Sequence, residues 1–237
     1  MKKKKVKMSK PNMVVFDLDN TLYDYATVNE IATNELILNL TRITQLSERK
    51  VIKMFLKSKK IVKSRLGQTG ASHSKLLYIS EFYRITNNKP SLKELLYLER
   101  IYWNTFINEM EIGNDVEEFI RKLKHLNIKL VLLTDLTTEI QYKKLIKLGL
   151  DNVFDIVLTS EECGGDKISN KPYNVLQNYI ESPIETIWFI GDSSHDYNTS
   201  LSNDTMFFQK NVKRTKNGRL IAFSNFRELD AFLNIKT

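Results

Sequence analysis

Five short apolar runs, each giving way at once to polar residues, constrain the fold of this chain more than anything else in it. Met13–Phe16 stops at Asp17 and Lys129–Thr134 stops at Asp135; Phe154–Thr159, Thr186–Ile190 and, more weakly, Thr205–Phe208 repeat the pattern. Unbroken apolar runs of this length suit strands buried on both faces. Helical patterns lie between them: Val116–Leu126, Thr138–Leu148 with Gly149 as a stop, and Tyr173–Ile180 after Pro172. Strand and helix alternating at this spacing predict an α/β fold, a parallel sheet covered by helices.

The rhythm breaks once. About a hundred residues separate Thr21 from Lys129, far more than a crossover requires. Val28–Leu40, Glu48–Arg65, Ser74–Tyr83 and Ser91–Asn108 carry apolar residues at helical spacing, Ser47 and Ser91 stand where N-caps belong, and Gly67 and Gly70 mark a loop. The expected organisation is a basic tail over 1–10, a core built from 11–23 and 112–237, and a helical domain inserted over 24–111.

Charge follows the same partition. The formal charge of +8 divides into six lysines and no acid in Met1–Lys10, 14 basic against nine acidic residues in Asp24–Glu111, and an acidic remainder. The lysine tail reads as a solvated, disordered segment. Arg42–Arg65 holds nine basic residues and the single acid Glu48; such a face also steers an anionic substrate toward a cleft. It lacks the aromatic or glycine interleaving of a nucleic-acid surface, so no nucleic-acid partner is expected. With 42% hydrophobic residues the chain is not mainly disordered. Cys163 is alone, which removes a disulfide framework and points to a reducing, cytoplasmic setting. No apolar run is long enough to span a bilayer, and the basic start leads into Met13–Phe16 and Asp17 with no export signal.

Each predicted strand end carries polar groups. Asp17 and Asp19 follow the first, Thr134 and Asp135 close the second, Lys171 precedes Pro172 at a helix start, and Gly191-Asp192-Ser193-Ser194-His195-Asp196 follows the fourth. In an open parallel sheet, ligands bind at these C-terminal ends. Asp17, Asp19, Asp192 and Asp196 can share one site only around a cation, and hard oxygen ligands suit Mg²⁺. An anion shared by metal, lysine and hydroxyl describes a phosphoryl group.

The ordered set Asp17-x-Asp19-x-Thr21, Thr134, Lys171-Pro172 and Gly191-Asp192-x-x-x-Asp196 resembles the haloacid dehalogenase superfamily. The resemblance implies a Rossmann-like core with a helical cap of the C1 type. It further implies Asp17 as nucleophile, Asp19 as general acid and base, Thr134 and Lys171 as phosphate-binding and charge-stabilising groups, and Mg²⁺ held by Asp17, Asp192 and the main-chain carbonyl of Asp19, with Asp196 in support. An acid at Asp19 favours phosphate-ester hydrolysis over dehalogenation, because an alkoxide needs a proton to leave and a halide does not. The segment Cys163–Ser169 is longer than the superfamily's usual approach to its third motif, which makes Lys167 a second candidate; Pro172 favours Lys171.

The expected activity is hydrolysis of a small phosphorylated metabolite, a sugar phosphate or similar polar alcohol phosphate. The alternatives are a nucleotidase, a phosphomutase or a catalytically idle binding module. Tyr23 and Tyr25 are expected to wall the pocket. The loop Gly67–His73, flanked by Arg65 and Lys75, is expected to close over the leaving group, with Arg65, Ser72 and His73 contacting substrate. His195 reads as a neighbour of the site. Ser72–Tyr78 also resembles phosphatases linked to surface-polysaccharide synthesis. Oligomeric state has no signal in the sequence.

Overall fold

In the computed structural model, strand β1 (Met13–Phe16) is buried along its whole length and lies at the centre of a parallel sheet. The structure describes residues 10–180, 186–193, 196, 205–211 and 220–233; the lysines of the tail before Lys10, and His195, lie outside them. β2 (Lys129–Thr134) flanks β1 on one side and β4 (Ile187–Gly191) on the other, with Val15 aligned to Val131 and to Phe189. β3 (Ile156–Thr159), β5 (Thr205–Lys210) and β6 (Leu220–Phe223) complete the order β3-β2-β1-β4-β5-β6. This is the doubly wound order of Rossmann-like folds, in which the winding reverses beside β1 and opens a crevice at the C-terminal ends of β1 and β4.

The sixth strand is the element the apolar pattern did not announce. Only Phe223 of β6 is fully buried. An edge strand of this kind has no continuous apolar run to advertise it.

The long interval is helical, as expected: α1 (Tyr25–Thr44), α2 (Glu48–Leu66), α3 (Lys75–Ile85) and α4 (Leu92–Asn108). Asp24, Ser74 and Ser91 each accept a backbone N–H of the following turn, satisfying donors that a helix start leaves open. Ser47 stands at the N-cap of α2, but its hydroxyl makes no capping bond. The segment between α2 and α3 is more ordered than a plain loop and winds one 3₁₀ turn over Gly70–His73.

The remaining helices belong to the sheet. α5 (Asn114–His125) and α6 (Thr138–Lys147) bracket β2, the single turn α7 (Ser160–Cys163) follows β3, α8 (Lys171–Gln177) precedes β4, and α9 (Arg227–Asp230) follows β6. One apolar cluster runs from Phe16 and Trp188 on one sheet face into the insert through Tyr23 and Phe106; a second, with Tyr173 and Leu176, covers the other face. The insert thus shares its core with the sheet at the β1 end. Among the described residues no helix is long and apolar enough to cross a membrane.

Candidate active site

The end of β1 sends its two aspartates to different neighbours. The Asp17 amide donates to the Ile190 carbonyl at 2.9 Å and stays in the sheet register. The chain then turns through Asn20 in the left-handed region, and the Thr21 hydroxyl returns to donate to Asp17 Oδ2 at 2.8 Å. Asp19 faces elsewhere: its Oδ1 accepts from the Tyr23 hydroxyl at 2.6 Å and from Lys144 Nζ at 2.8 Å, and its Oδ2 accepts from the same ammonium at 3.0 Å. Lys144, from α6, is fully buried and lies under the rings of Tyr23, Tyr25 and Phe106. Burial pulls its ammonium below its ordinary range, and Asp19 opposes that pull.

The lysine beside Asp17 is Lys167, and the preference for Lys171 is corrected. Lys167 Nζ bridges Asp17 Oδ1 and Asp196 Oδ1, each at 2.5 Å, and its side chain is buried. Lys171 is exposed at the first turn of α8, and its ammonium donates to the Gly164 carbonyl at 2.8 Å. The reason is local. After α7 the chain turns through Gly164 and makes a 3₁₀ turn over Lys167–Ser169, and the Lys167 amide is pinned to Asp135 Oδ1 at 2.9 Å. Asn170 then starts α8 from the left-handed region and leaves Lys171 on the outside. Burial pulls the Lys167 ammonium down, but Asp17, Asp196 and Asp135 outweigh it and hold it well above its ordinary value.

Three carboxylates converge here. Asp17, Asp192 and Asp196 each offer an oxygen within 4.8 Å of the others. Burial, then the Asp196 charge, pushes Asp17 up to about 8, with Lys167 pulling the other way; the same two causes raise Asp192. One ammonium does not neutralise the cluster, and a hard divalent cation between Asp17 and Asp192 fits this donor set. Asp196 is less available. Its Oδ1 takes Lys167, its Oδ2 accepts from the Ser193 amide at 3.0 Å and hydroxyl at 3.1 Å, and a Cβ on Gly191 would overlap its carboxylate. Asp19, tied to Lys144 and Tyr23, brings no carboxylate oxygen to this cluster.

A cavity of about 380 Å³ opens over these groups, lined by Asp17, Asp19, Thr134, Asp135, Asp192 and Lys167 from the sheet side and by Tyr25, His73 and Lys75 from the insert side. Thr134 Oγ1 accepts from Gln141 at 2.6 Å and donates to the Asp135 carbonyl at a long 3.5 Å. Asp135 Oδ1 is occupied by the Ser160 hydroxyl and the Lys167 amide, so it holds the turn that carries the lysine. His73 Nε2 lies 2.9 Å from Asp166 Oδ2, and the Gln68 carbonyl accepts from the Asp166 amide at 3.1 Å. The loop expected to close over the site is therefore docked at its rim.

Three expected contacts are not brought to the cavity. Arg65 pairs with Glu81 at 3.1 Å and is half-exposed. Ser72 is buried, and its carbonyl accepts from the Tyr78 hydroxyl. Tyr23 supports Asp19 from behind and does not wall the pocket; that place is taken by Tyr25.

A sequence-family model described as haloacid dehalogenase-like hydrolase matches residues 14–208. The chain belongs to the haloacid dehalogenase-like hydrolases. Among its curated relatives is a ribulose-1,5-bisphosphate 5-phosphatase from Halopiger xanaduensis, 29% identical over 76% of this chain and 75% of that one. Another is a glyceraldehyde 3-phosphate phosphatase from Methanocaldococcus jannaschii, 26% identical over 64% of this chain and 63% of that one. Among solved structures, the HAD-hydrolase YfnB from Bacillus subtilis, crystallised with magnesium, superposes with a TM-score of 0.64 at 18% identity, covering 96% of this chain and 100% of that one. At that identity the superposition speaks for the fold.

In this haloacid dehalogenase-like hydrolase, sequence reasoning missed Lys144 and undervalued Lys167 and Lys75. Lys144 sits 125 residues from Asp19 in sequence, and no local pattern separates it from the neighbouring surface lysine Lys143. The signal for Lys167 was its place directly after the Gly164-Gly165-Asp166 turn.

Proposed function

We propose that the protein is a divalent-metal-dependent phosphatase that hydrolyses a small phosphorylated metabolite, a sugar phosphate or similar polar alcohol phosphate, through an aspartyl-phosphate on Asp17. The observation that carries this reading is the contrast between two aspartates two positions apart in sequence. Asp17 faces a buried ammonium and two further carboxylates, whereas Asp19 is held aside by Tyr23 and Lys144. Environments that differ this much suit one group to attack and the other to move a proton.

A carboxylate oxygen of Asp17 attacks phosphorus, and the bond to the leaving alkoxide breaks. Asp19 gives that oxygen a proton. It then takes one from water, whose oxygen attacks phosphorus, breaks the bond to Asp17 and releases inorganic phosphate. In this structure Asp19 accepts hydrogen bonds from Tyr23 and Lys144, the bonding of the base form. Lys167 offsets charge on the phosphoryl oxygens and keeps Asp17 and Asp196 from repelling each other. The Thr134 hydroxyl is placed to donate to the same group. Mg²⁺ would be held by Asp17 and Asp192, with Asp196 in support, and would supply the remaining charge compensation. The insert acts as the cap over the leaving group. The relatives' sugar-phosphate activities support this substrate class.

The test is release of phosphate from p-nitrophenyl phosphate and from an alkyl phosphate in the presence of Mg²⁺. Asp17→Asn should abolish both reactions. Asp19→Asn should slow the alkyl phosphate by about 100- to 10,000-fold and the aryl ester far less, since a good leaving group needs no proton. Equal rates in wild type and Asp17→Asn would overturn the reading in favour of a binding module.

A further inference from the structure

Two buried lysines stand where the insert meets the sheet, each inside a cage of aromatic rings. Lys144 is caged by Tyr23, Tyr25 and Phe106 and is paired with Asp19. Lys75, at the first position of α3, is caged by Tyr78, Tyr102 and Trp103, its ammonium 5.5, 4.9 and 5.5 Å from the three ring centroids. Lys75 is only 8% exposed and has neither a carboxylate partner nor a hydrogen-bond acceptor among the described residues. Three ring faces recover part of the hydration an ammonium loses on burial, but not all of it.

The surrounding field makes this more costly. Burial first, then the charges of Lys59, Lys144 and Lys63, depress the Lys75 ammonium to about 7, with Asp19 alone opposing them. Asp19 is already engaged by Lys144 and Tyr23. The Lys75 ammonium therefore has cationic neighbours and no carboxylate bonded to it among the described residues.

Lys75 also lies at a junction of cavities. It lines the space over Asp17 and Lys167, and with His73 and Leu136 it lines an adjoining cavity of about 460 Å³ that runs along α4 and α6. Three acids border that second space: Glu139 pairs with Lys143 at 2.6 Å, Glu161 accepts the Thr138 amide at 2.8 Å, and Glu99, raised by burial and then by the Glu139 charge, does not bond Lys75. Lys75 thus lines the same cavity as Lys167 and Asp17, on its insert side.

We propose that Lys75 forms a second anion subsite, binding a carboxylate or second phosphate on the leaving-group side of the substrate. This rests on the phosphatase reading and narrows it to metabolites with a negative charge beyond the scissile ester. An anion there gives the caged ammonium its missing partner, and such a charge-assisted bond discriminates against a neutral analogue that lacks it.

The test uses matched pairs: 2-phosphoglycolate against 2-hydroxyethyl phosphate, and a sugar 1,5-bisphosphate against the corresponding 5-monophosphate. The first pair reads a carboxylate and the second a phosphate. Wild type should favour the doubly anionic member of at least one pair by about 10- to 100-fold in kcat/KM. Lys75→Met should collapse that ratio to near one, and Lys75→Arg should restore most of it. Melting supplies a readout that separates binding from a structural role. Methionine replaces an unpaired buried cation with a thioether against three rings, so Lys75→Met should melt at or above wild type. A wild-type ratio near one in both pairs, or a ratio unchanged by Lys75→Met, would overturn the subsite while leaving the phosphatase intact. Failure of wild type to release phosphate from any substrate, p-nitrophenyl phosphate included, would overturn the phosphatase reading and the subsite with it.

Discussion

Lys167 and Lys171 differ in what four positions of chain do to a charge. Lys167 is buried between Asp17 and Asp196; Lys171 sits in water at a helix start. Lys167→Met should cost activity by about 100- to 1,000-fold, the scale of a lost charge-stabilising donor. It should also lower stability by about 3–5 kcal/mol, because two buried carboxylates lose their shared cation. Lys171→Ala should leave stability within about 0.5 kcal/mol of wild type, as surface changes do, with unchanged phosphate release. Paired kinetics and denaturant melts of the two variants check this; the reverse pattern would return the role to Lys171. Asp17, Asp19, Thr134 and Asp192 were legible because each directly follows or closes a buried apolar run. The lysines were not, since a lysine's sequence surroundings do not say whether its long side chain folds inward or out. The same holds for Arg65, whose place beside the Gly67–His73 loop suggested a substrate contact and whose guanidinium instead pairs with Glu81.

At the scale of elements, the segment between α2 and α3 carries the insert onto the sheet. A Cβ on Gly70 would lie 3.0 Å from the Glu161 amide nitrogen and 3.1 Å from the Leu136 carbonyl oxygen, both backbone atoms. Leu136 itself holds a φ of 109°, a strained value for a branched side chain, and lines both cavities. Gly70→Ala should therefore force the insert and the sheet apart. The expected cost is about 1–3 kcal/mol, as for overpacking elsewhere, with a raised KM because His73 and Lys75 follow directly in the chain. A denaturation midpoint and a KM both equal to wild type would show that this contact does not set the cavity. The glycines were legible as a loop between helices; the close approach of Gly70 to Leu136 and Glu161 was not, because it depends on two segments more than sixty residues away. Helix limits were readable to within a few residues wherever an apolar stripe and a cap coincided, as at Ser91 and Gly149.

Across the whole molecule, the charge partition and the sheet order tell one story. The strand order opens its crevice at the ends of β1 and β4, where Asp17 and Asp192 stand. The sequence balance is negative where Asp17, Asp192 and Asp196 cluster and positive in the insert. The insert's positive face contributes more than a diffuse field, since Lys59 and Lys63 from α2 act directly on Lys75 beside the cavity. An acidic floor and a cationic roof suit a small anion that is turned over rather than a polyanion that is retained. That balance was visible in the sequence. The placement of the roof's buried Lys75 ammonium over three aromatic rings needed the packing of α3 against α4.

The central claim is that Asp17 carries the phosphoryl group, and trapping it is the most direct test. The full-length protein with Mg²⁺ is mixed with a substrate labelled in its phosphoryl group and quenched in acid within one turnover. Label is expected on the peptide containing Asp17, stable in acid, released by hydroxylamine and lost in Asp17→Asn. Phosphate release at full rate with no label at Asp17, or label on another residue, would contradict it.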